Sequence, residues 1–402
     1  MADATINSRM QGGILPTLLS ALTGILFLCM PVVAEDVALP QLLEGIRTEF
    51  SLPALAAAVV QDGDVVAAAA VGTRVLGIDL PVSIDDRFHL GSNTKSMTAT
   101  LAGMMVEEGK LAWNSSVGEI LADHAEGMDP TLAAATLEQL LSHSSGIPSD
   151  SEDLIDLYFS DAVFDANPPR QREDILDAWK HNAIVVPEGS PFQYSNMGYM
   201  IAGMMIEKVA GAPWEQLMHE RIFDPLGLET AGLGPQTTYG RIDAPAAHRI
   251  NPDGTVTPML WGPSADVPPA LGPAGNAHMS IGDYAKWAGW NTGMGKRDPV
   301  LVSAETLAHI QAEHVQTPVR ENPPPGTPTT GGYGLGWSIV AFDWADHAIL
   351  THNGSNSMNL ARIVVDTDRD LTIVVATNFP GVVADTAAGR VLEMLYARYG
   401  QP

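Results

Sequence analysis

Phe88-His-Leu-Gly-Ser-Asn-Thr-Lys-Ser-Met97 runs directly into the mostly apolar, proline-free stretch 97–106. The pattern predicts a buried helix of about three turns. Ser92 and Lys95 stand at i and i+3, so both project from one face of the helix start. A serine hydroxyl is a poor nucleophile at neutral pH. A neighbouring amine can take its proton or assist its removal, and a helix N-terminus favours the negative charge that develops. The bland alternative is that Ser92 only caps the helix.

Outward from this stretch, composition narrows the choices. Of 402 residues, 47 are acidic and 21 basic, a net charge of −26. Such a balance argues against nucleic acid and anionic membrane as partners. Residues 1–34 read as a secretory signal peptide: Arg9, the apolar stretch 14–33, then Val32-Val33-Ala34 before Glu35. A retained N-terminal anchor is the alternative. Export places the protein in the periplasm or outside the cell, with no stable membrane partner once the signal is removed. Cys29 is the only cysteine and lies inside that segment. The mature chain is therefore expected to have no thiol, disulfide or thiolate metal site.

The chain divides by pattern. Segments 55–60 and 64–71, split by Gln61-Asp-Gly-Asp64, predict a hairpin, because Asp-Gly is a favoured tight turn. Segments 360–365 and 371–377 predict a second. Stretches 39–50 and 381–399 read as opening and closing amphipathic helices. Both ends of the chain are thus expected to share one sheet. Between them lie helix-like blocks at 137–141, 172–181, 198–209 and 214–222. The expected fold is α/β (α+β): an antiparallel sheet flanked by helices, with an inserted mainly helical lobe. Residues 35–91 and 291–402 form the α/β lobe, and 92–290 the helical lobe. The proline-rich stretches 244–273 and 321–331 are left without regular structure.

Two more motifs carry chemistry. Tyr194-Ser195-Asn196 precedes the apolar run 197–209. A tyrosine beside two cations can have its pKa lowered and act as a base. An asparagine can orient an amide or hold a lysine amine. Thr351-His-Asn-Gly-Ser355 precedes the strand-like stretch 360–365. Gly354 lets a substrate backbone approach the strand edge. The Ser355 N–H can form half of an oxyanion hole, and His352 can supply a donor or a positive charge. Alone, these two motifs also fit a polar helix entry and a solvated turn.

Ser-x-x-Lys, then Tyr-x-Asn, then His-x-Gly on a late strand resembles the serine β-lactamase-like hydrolases. These include class C β-lactamases, D-Ala-D-Ala carboxypeptidases, D-amino-acid peptidases and related esterases. Leu140-Leu-Ser-His-Ser-Ser-Gly-Ile-Pro148, Pro273-Ala-Gly275, Ser280-Ile-Gly-Asp-Tyr-Ala285 and Tyr333-Gly-Leu-Gly-Trp337 add to the likeness, which spans about residues 40–397. His143 falls within one of these segments and reads as structural. Trp287, Trp290 and Trp337 read as core or pocket wall. No Gly-x-Ser-x-Gly elbow, His-Glu-x-x-His helix or intact P-loop is present.

The resemblance implies a scheme. Ser92 attacks a carbonyl and becomes acylated. Tyr194, assisted by Lys95, takes the proton and passes it to the leaving group. The N–H groups of Ser92 and Ser355 stabilise the oxyanion. Asn196, His352, Gly354 and Ser355 bind substrate, and water releases the acyl group. No cofactor or metal is implied, and no metal-ligand spacing is visible. His352 stands where β-lactamases of this family usually carry lysine, which favours a small peptide or ester substrate over penicillin. Chain length, export signal and the His-x-Gly form are also similar to the serine peptidases that degrade linearised microcystin. D-residue peptides are therefore the expected substrates, with that one as a specific candidate. Carboxylesterase and β-lactamase are the alternatives. A binding protein that kept the fold would be expected to have lost Ser92, Lys95 or Tyr194.

Overall fold

The computed structural model describes residues 38–160, 166–321, 323 and 327–400. The 1–34 segment, with Cys29, lies outside them. Among the described residues no helix is long and apolar enough to cross a membrane.

Nine strands form one sheet, every neighbouring pair antiparallel. Their order is Ile78–Pro81, Asp64–Val75, Ala54–Gln61, Leu371–Thr377, Leu360–Asp366, Ile349–Gly354, Ser338–Val340, Gly332–Tyr333 and Val315–Gln316. Both sequence-read hairpins are present. Gln61 pairs with Asp64 across Asp62-Gly63, and both turn residues have positive φ, as a tight hairpin turn requires. Asp366 pairs with Leu371 in the second. The two hairpins meet at the centre of the sheet, where Ala58 faces Val374.

These central strands are apolar without alternation because both faces are covered. Against one face lie the helices Ala38–Glu49 and Gly381–Tyr399, with Leu43, Ile46, Val391 and Leu395 packed among Leu55, Val59, Ile373 and Val375. Against the other lies the helix Ile281–Thr292, where Trp287 and Trp290 stack at 5.5 Å within the larger core. Trp337 is also fully buried there.

That larger core continues into helices grouped around Thr94–Glu107, buried from Thr94 to Met105. The helix Asn196–Ala210 packs beside it and ends on Gly211 in the left-handed region. Arg172, on the helix Pro168–Trp179, is fully buried and forks onto Glu207 at 2.5 Å and Glu215 at 2.9 Å. A bidentate charged pair fixes this helix against its neighbours. The stretch 244–273 is more regular than its proline content suggests. Ala247–Ile250 pairs with Val256–Met259 around a turn containing Asp253-Gly254. The turn signal prevails because Pro258 leaves the ladder intact on either side of it.

Candidate active site

Ser92 does not sit in the first α-helical turn. It lies in a 3-10 turn, Gly91–Asn93, that runs without interruption into Thr94–Glu107. Lys95, three residues on in the first turn of the α-helix, lies on the same face and reaches Ser92. Neither the turn nor the helix has a side-chain N-cap. The bland reading of Ser92 as a cap therefore falls away. The Asn93 amide pins the turn by donating to Leu90 O at 2.9 Å and Ala361 O at 3.2 Å.

Lys95 is completely buried. Its Nζ donates to Ser92 Oγ at 3.1 Å, Asn196 Oδ1 at 2.7 Å and Ala274 O at 2.7 Å. Three neutral acceptors use all three ammonium donors, and no carboxylate among the described residues hydrogen-bonds to it. Burial lowers its pKa to about 7, against a weaker opposing pull from Asp150. Lys95 can thus lose its proton near neutrality and become a base.

Tyr194 comes from the loop before the helix Asn196–Ala210, and its hydroxyl lies near enough to Ser92 to feel it. His143 supports it from below, with ring centroids 4.2 Å apart, and His143 Nδ1 accepts from Ser195 N at 3.1 Å. Lys95 Nζ lies 4.8 Å from the Tyr194 ring centre. The expectation of a lowered tyrosine pKa is not met. Burial raises it, the Ser92 contact opposes only in part, and Asp150 raises it further. Tyr194 is a neutral phenol, suited to passing a proton rather than extracting one.

Asn196 opens the helix, with Ser195 as N-cap donating no proton but accepting one from Gly198 N. Its Oδ1 takes Lys95, and its Nδ2 donates to Asp150 Oδ2 at 2.5 Å.

His352 and Gly354 lie on the strand Ile349–Gly354. Its pairing with Ser338–Val340 stops at Thr351, so among the described residues that edge has no strand partner from His352 onward. His352 Nδ1 is 2.8 Å from Asn353 O, and a carbonyl only accepts, so Nδ1 carries the proton. Nε2 then accepts from Tyr333 Oη at 3.0 Å. Burial first, then Lys95, lowers the His352 pKa to about 3. The positive charge suggested for His352 is therefore absent. This also removes the second cation that would have acidified Tyr194.

The end of this strand presses against the Ser92 turn. A Cβ on Gly91, whose φ is +51°, would come within 2.3 Å of Ser355 N. A Cβ on Gly354 would lie 1.8 Å from Leu90 O. Only glycines allow this approach, which brings the Ser355 amide beside the turn carrying Ser92. Ser355 Oγ is tied back to Asn359 O at 2.6 Å, leaving the backbone as its contribution to the site.

All seven sequence-predicted residues therefore converge. Sequence reading missed Asp150, Tyr333 and the Ala274 carbonyl as partners. Asp150 is exposed on an irregular segment and carries no periodic signal. Pro273-Ala-Gly275 was noticed, but nothing in it says that a carbonyl would hold a lysine. The convergence opens onto a cleft of about 290 Å³ whose walls include Tyr194, His352, Asn353 and Arg320. A second, mostly apolar cleft of about 410 Å³ is bordered by Tyr239, Trp261 and Val267. Outside the Ser92 cluster, Glu138, His309 and His314 meet with metal-ligand proximity.

The sequence model of the beta-lactamase family matches residues 39–397. Penicillin-binding protein 4 of Amycolatopsis lactamdurans is 25% identical over 83% of each chain. An unguisins hydrolase of Aspergillus campestris is 27% identical over 68% of this chain, and the match spans 49% of that longer protein. Among solved structures, the octameric penicillin-binding protein homologue from Pyrococcus abyssi superposes with a TM-score of 0.72 at 25% identity, over 90% of this chain and 78% of that one. The D-amino acid amidase from Ochrobactrum anthropi shares the fold, with a TM-score of 0.68 at 20% identity over 90% and 99%.

Proposed function

Because the chain belongs to the beta-lactamase family, we propose that it is an exported serine hydrolase that cleaves peptides at D-residue carbonyls through an acyl-enzyme at Ser92. The observation that carries this reading is the Ser92–Lys95 contact at 3.1 Å, with the lysine pKa lowered to about 7. A neutral Lys95 takes the Ser92 proton as Oγ attacks. Tyr194, held neutral beside Ser92, delivers a proton to the leaving amine and is reprotonated from Lys95. The Ser92 and Ser355 amides receive the oxyanion. A water then repeats the sequence in reverse and frees the acid.

Three features support a peptide over a lactam. The unpaired edge from His352 to Ser355 can take an extended backbone as an added strand. The cleft beside Tyr194 and His352, about 290 Å³, offers room for a peptide side chain. The neutral His352 supplies no cation to hold a penicillin carboxylate at the position where the family's β-lactamases carry lysine. Linearised microcystin is the specific candidate substrate. The carboxylesterase alternative keeps the same acyl-enzyme and differs only in the leaving group. Export rests on 1–34, and the acidic surface fits a small-molecule partner rather than nucleic acid.

Side-by-side kinetics on one preparation test the reading. The panel is linearised microcystin, a D-Ala-D-Ala peptide, a linear peptide with D-Ala on the acyl side, a phenyl ester and benzylpenicillin. The expected result is the highest kcat/KM for a D-Ala peptide, with penicillin acylating slowly. Fast penicillin turnover without peptide cleavage reverses the ranking, and turnover of the ester alone establishes the esterase.

A further inference from the structure

Glu138, on the helix Leu137–Leu141, faces two histidines that are distant in sequence. His309 lies near the end of the helix Ala304–Gln311, and His314 just precedes the edge strand Val315–Gln316. One ligand atom from each falls within 4.8 Å of the other two, and all three residues are half-buried.

The hydrogen-bond pattern leaves this cluster short of a cation. His314 Nε2 is 2.8 Å from His309 O. A carbonyl cannot donate, so Nε2 carries a proton and Nδ1 is the ring nitrogen turned toward Glu138. Nδ1 sits 3.6 Å from Glu138 Oε1, too long for a hydrogen bond. His309 Nε2 is 3.0 Å from Glu138 Oε2, yet it is buried and makes no aligned hydrogen bond. Donors around one ion have this relationship: close, but not aimed at each other. Metal bonds of about 2.0–2.1 Å at a tetrahedral angle place neighbouring donors about 3.3 Å apart, between the two observed separations.

We propose that Glu138, His309 and His314 form a binding site for one Zn2+ ion, with water completing the tetrahedron. The second contacts suit a ligand set. The His314 N–H on a backbone carbonyl fixes its tautomer and ring orientation. His309 is held by stacking on Trp113 at 4.6 Å.

The ion would brace the site without entering its chemistry. The helix of Glu138 leads into the turn that carries His143, on which Tyr194 rests. His314 N donates to Tyr333 O, and Tyr333 holds His352. One ion thus ties together segments that support both walls of the cleft.

The test uses untagged, chelator-stripped protein titrated with Zn2+ by calorimetry, with Co2+ as a spectroscopic probe. One equivalent should bind, raise the unfolding midpoint and, with Co2+, give the visible band of a four-coordinate site. Glu138→Gln and His314→Gln should each lose these responses while keeping fluorophosphonate labelling of Ser92. Absence of binding at micromolar Zn2+, or binding unchanged in both variants, overturns the site. Should a variant fold poorly, Zn2+ protection of His309 and His314 against diethyl pyrocarbonate in the unaltered protein decides the question. Protected histidines support the site, and unprotected ones overturn it.

Discussion

The side-chain amide of Asn196 donates to Asp150 at 2.5 Å, and that contact decides which way the amide faces. With Nδ2 committed to the carboxylate, Oδ1 must turn inward, where it receives Lys95 at 2.7 Å. A neutral acceptor there holds the amine without fixing its charge. Asn196→Asp would place a carboxylate on Lys95 and raise its pKa, by about 1–3 units for close opposite charges. The acid limb of kcat/KM should move to higher pH by at least about one unit. Asp150→Asn should move it slightly the other way, since Asp150 now raises the Lys95 pKa. pH–rate profiles of both variants check the pair of signs.

Lys95 also links activity to stability in opposite senses. Its pKa is lowered from 10.5 to about 7 on folding. The unfolded chain therefore binds more protons between these values, and stability rises with pH across that window. Below it the burden of burying the amine is constant and complete. Lys95→Met should abolish turnover yet raise the unfolding midpoint, more at about pH 6 than at about pH 10. Calorimetry at the two pH values measures the difference. An equal change at both would contradict the buried neutral amine.

Tyr194→Phe should lower kcat by at least about a hundredfold, the lower range for a lost proton-transfer group. Ser92 labelling by a fluorophosphonate, whose leaving group needs no proton, should suffer less. Combined with Lys95→Met, the loss should fall well short of the product of the single losses, because both residues serve one proton path. Full additivity in the double-mutant cycle would separate them.

Gly354→Ala tests the oxyanion hole through the backbone. The new methyl group would meet Leu90 O at 1.8 Å, so the strand end must retreat from the Ser92 turn. Loss of one oxyanion donor corresponds to a fall of about 10²–10³ in kcat. Circular dichroism should stay unchanged, since the strand pairs with Leu360–Asp366 along its length.

Much of this was legible in the sequence because it is local. Ser92 and Lys95 are one turn apart, and the two hairpins announce themselves by apolar runs around short polar turns. The closing helix Gly381–Tyr399 follows from its own composition. What stayed hidden depends on burial and on distant partners. Tyr194 and His352 have the residue types of charged participants, but desolvation holds both neutral, and no motif encodes depth. Asp150 and Tyr333 reach the site from loops and edges whose positions only the folded sheet defines. The Glu138–His309–His314 group is invisible for the same reason: its spacing in sequence resembles no ligand pattern.

The central claim is that Ser92 carries the acyl group. Its most direct test is intact-mass analysis, followed by peptide mapping, of protein mixed rapidly with a D-Ala peptide and quenched in acid. The account predicts a mass increase equal to the acyl fragment, mapped to Ser92 and absent in Ser92→Ala, which should also lose turnover. An adduct on another residue, or undiminished turnover in Ser92→Ala, would contradict it.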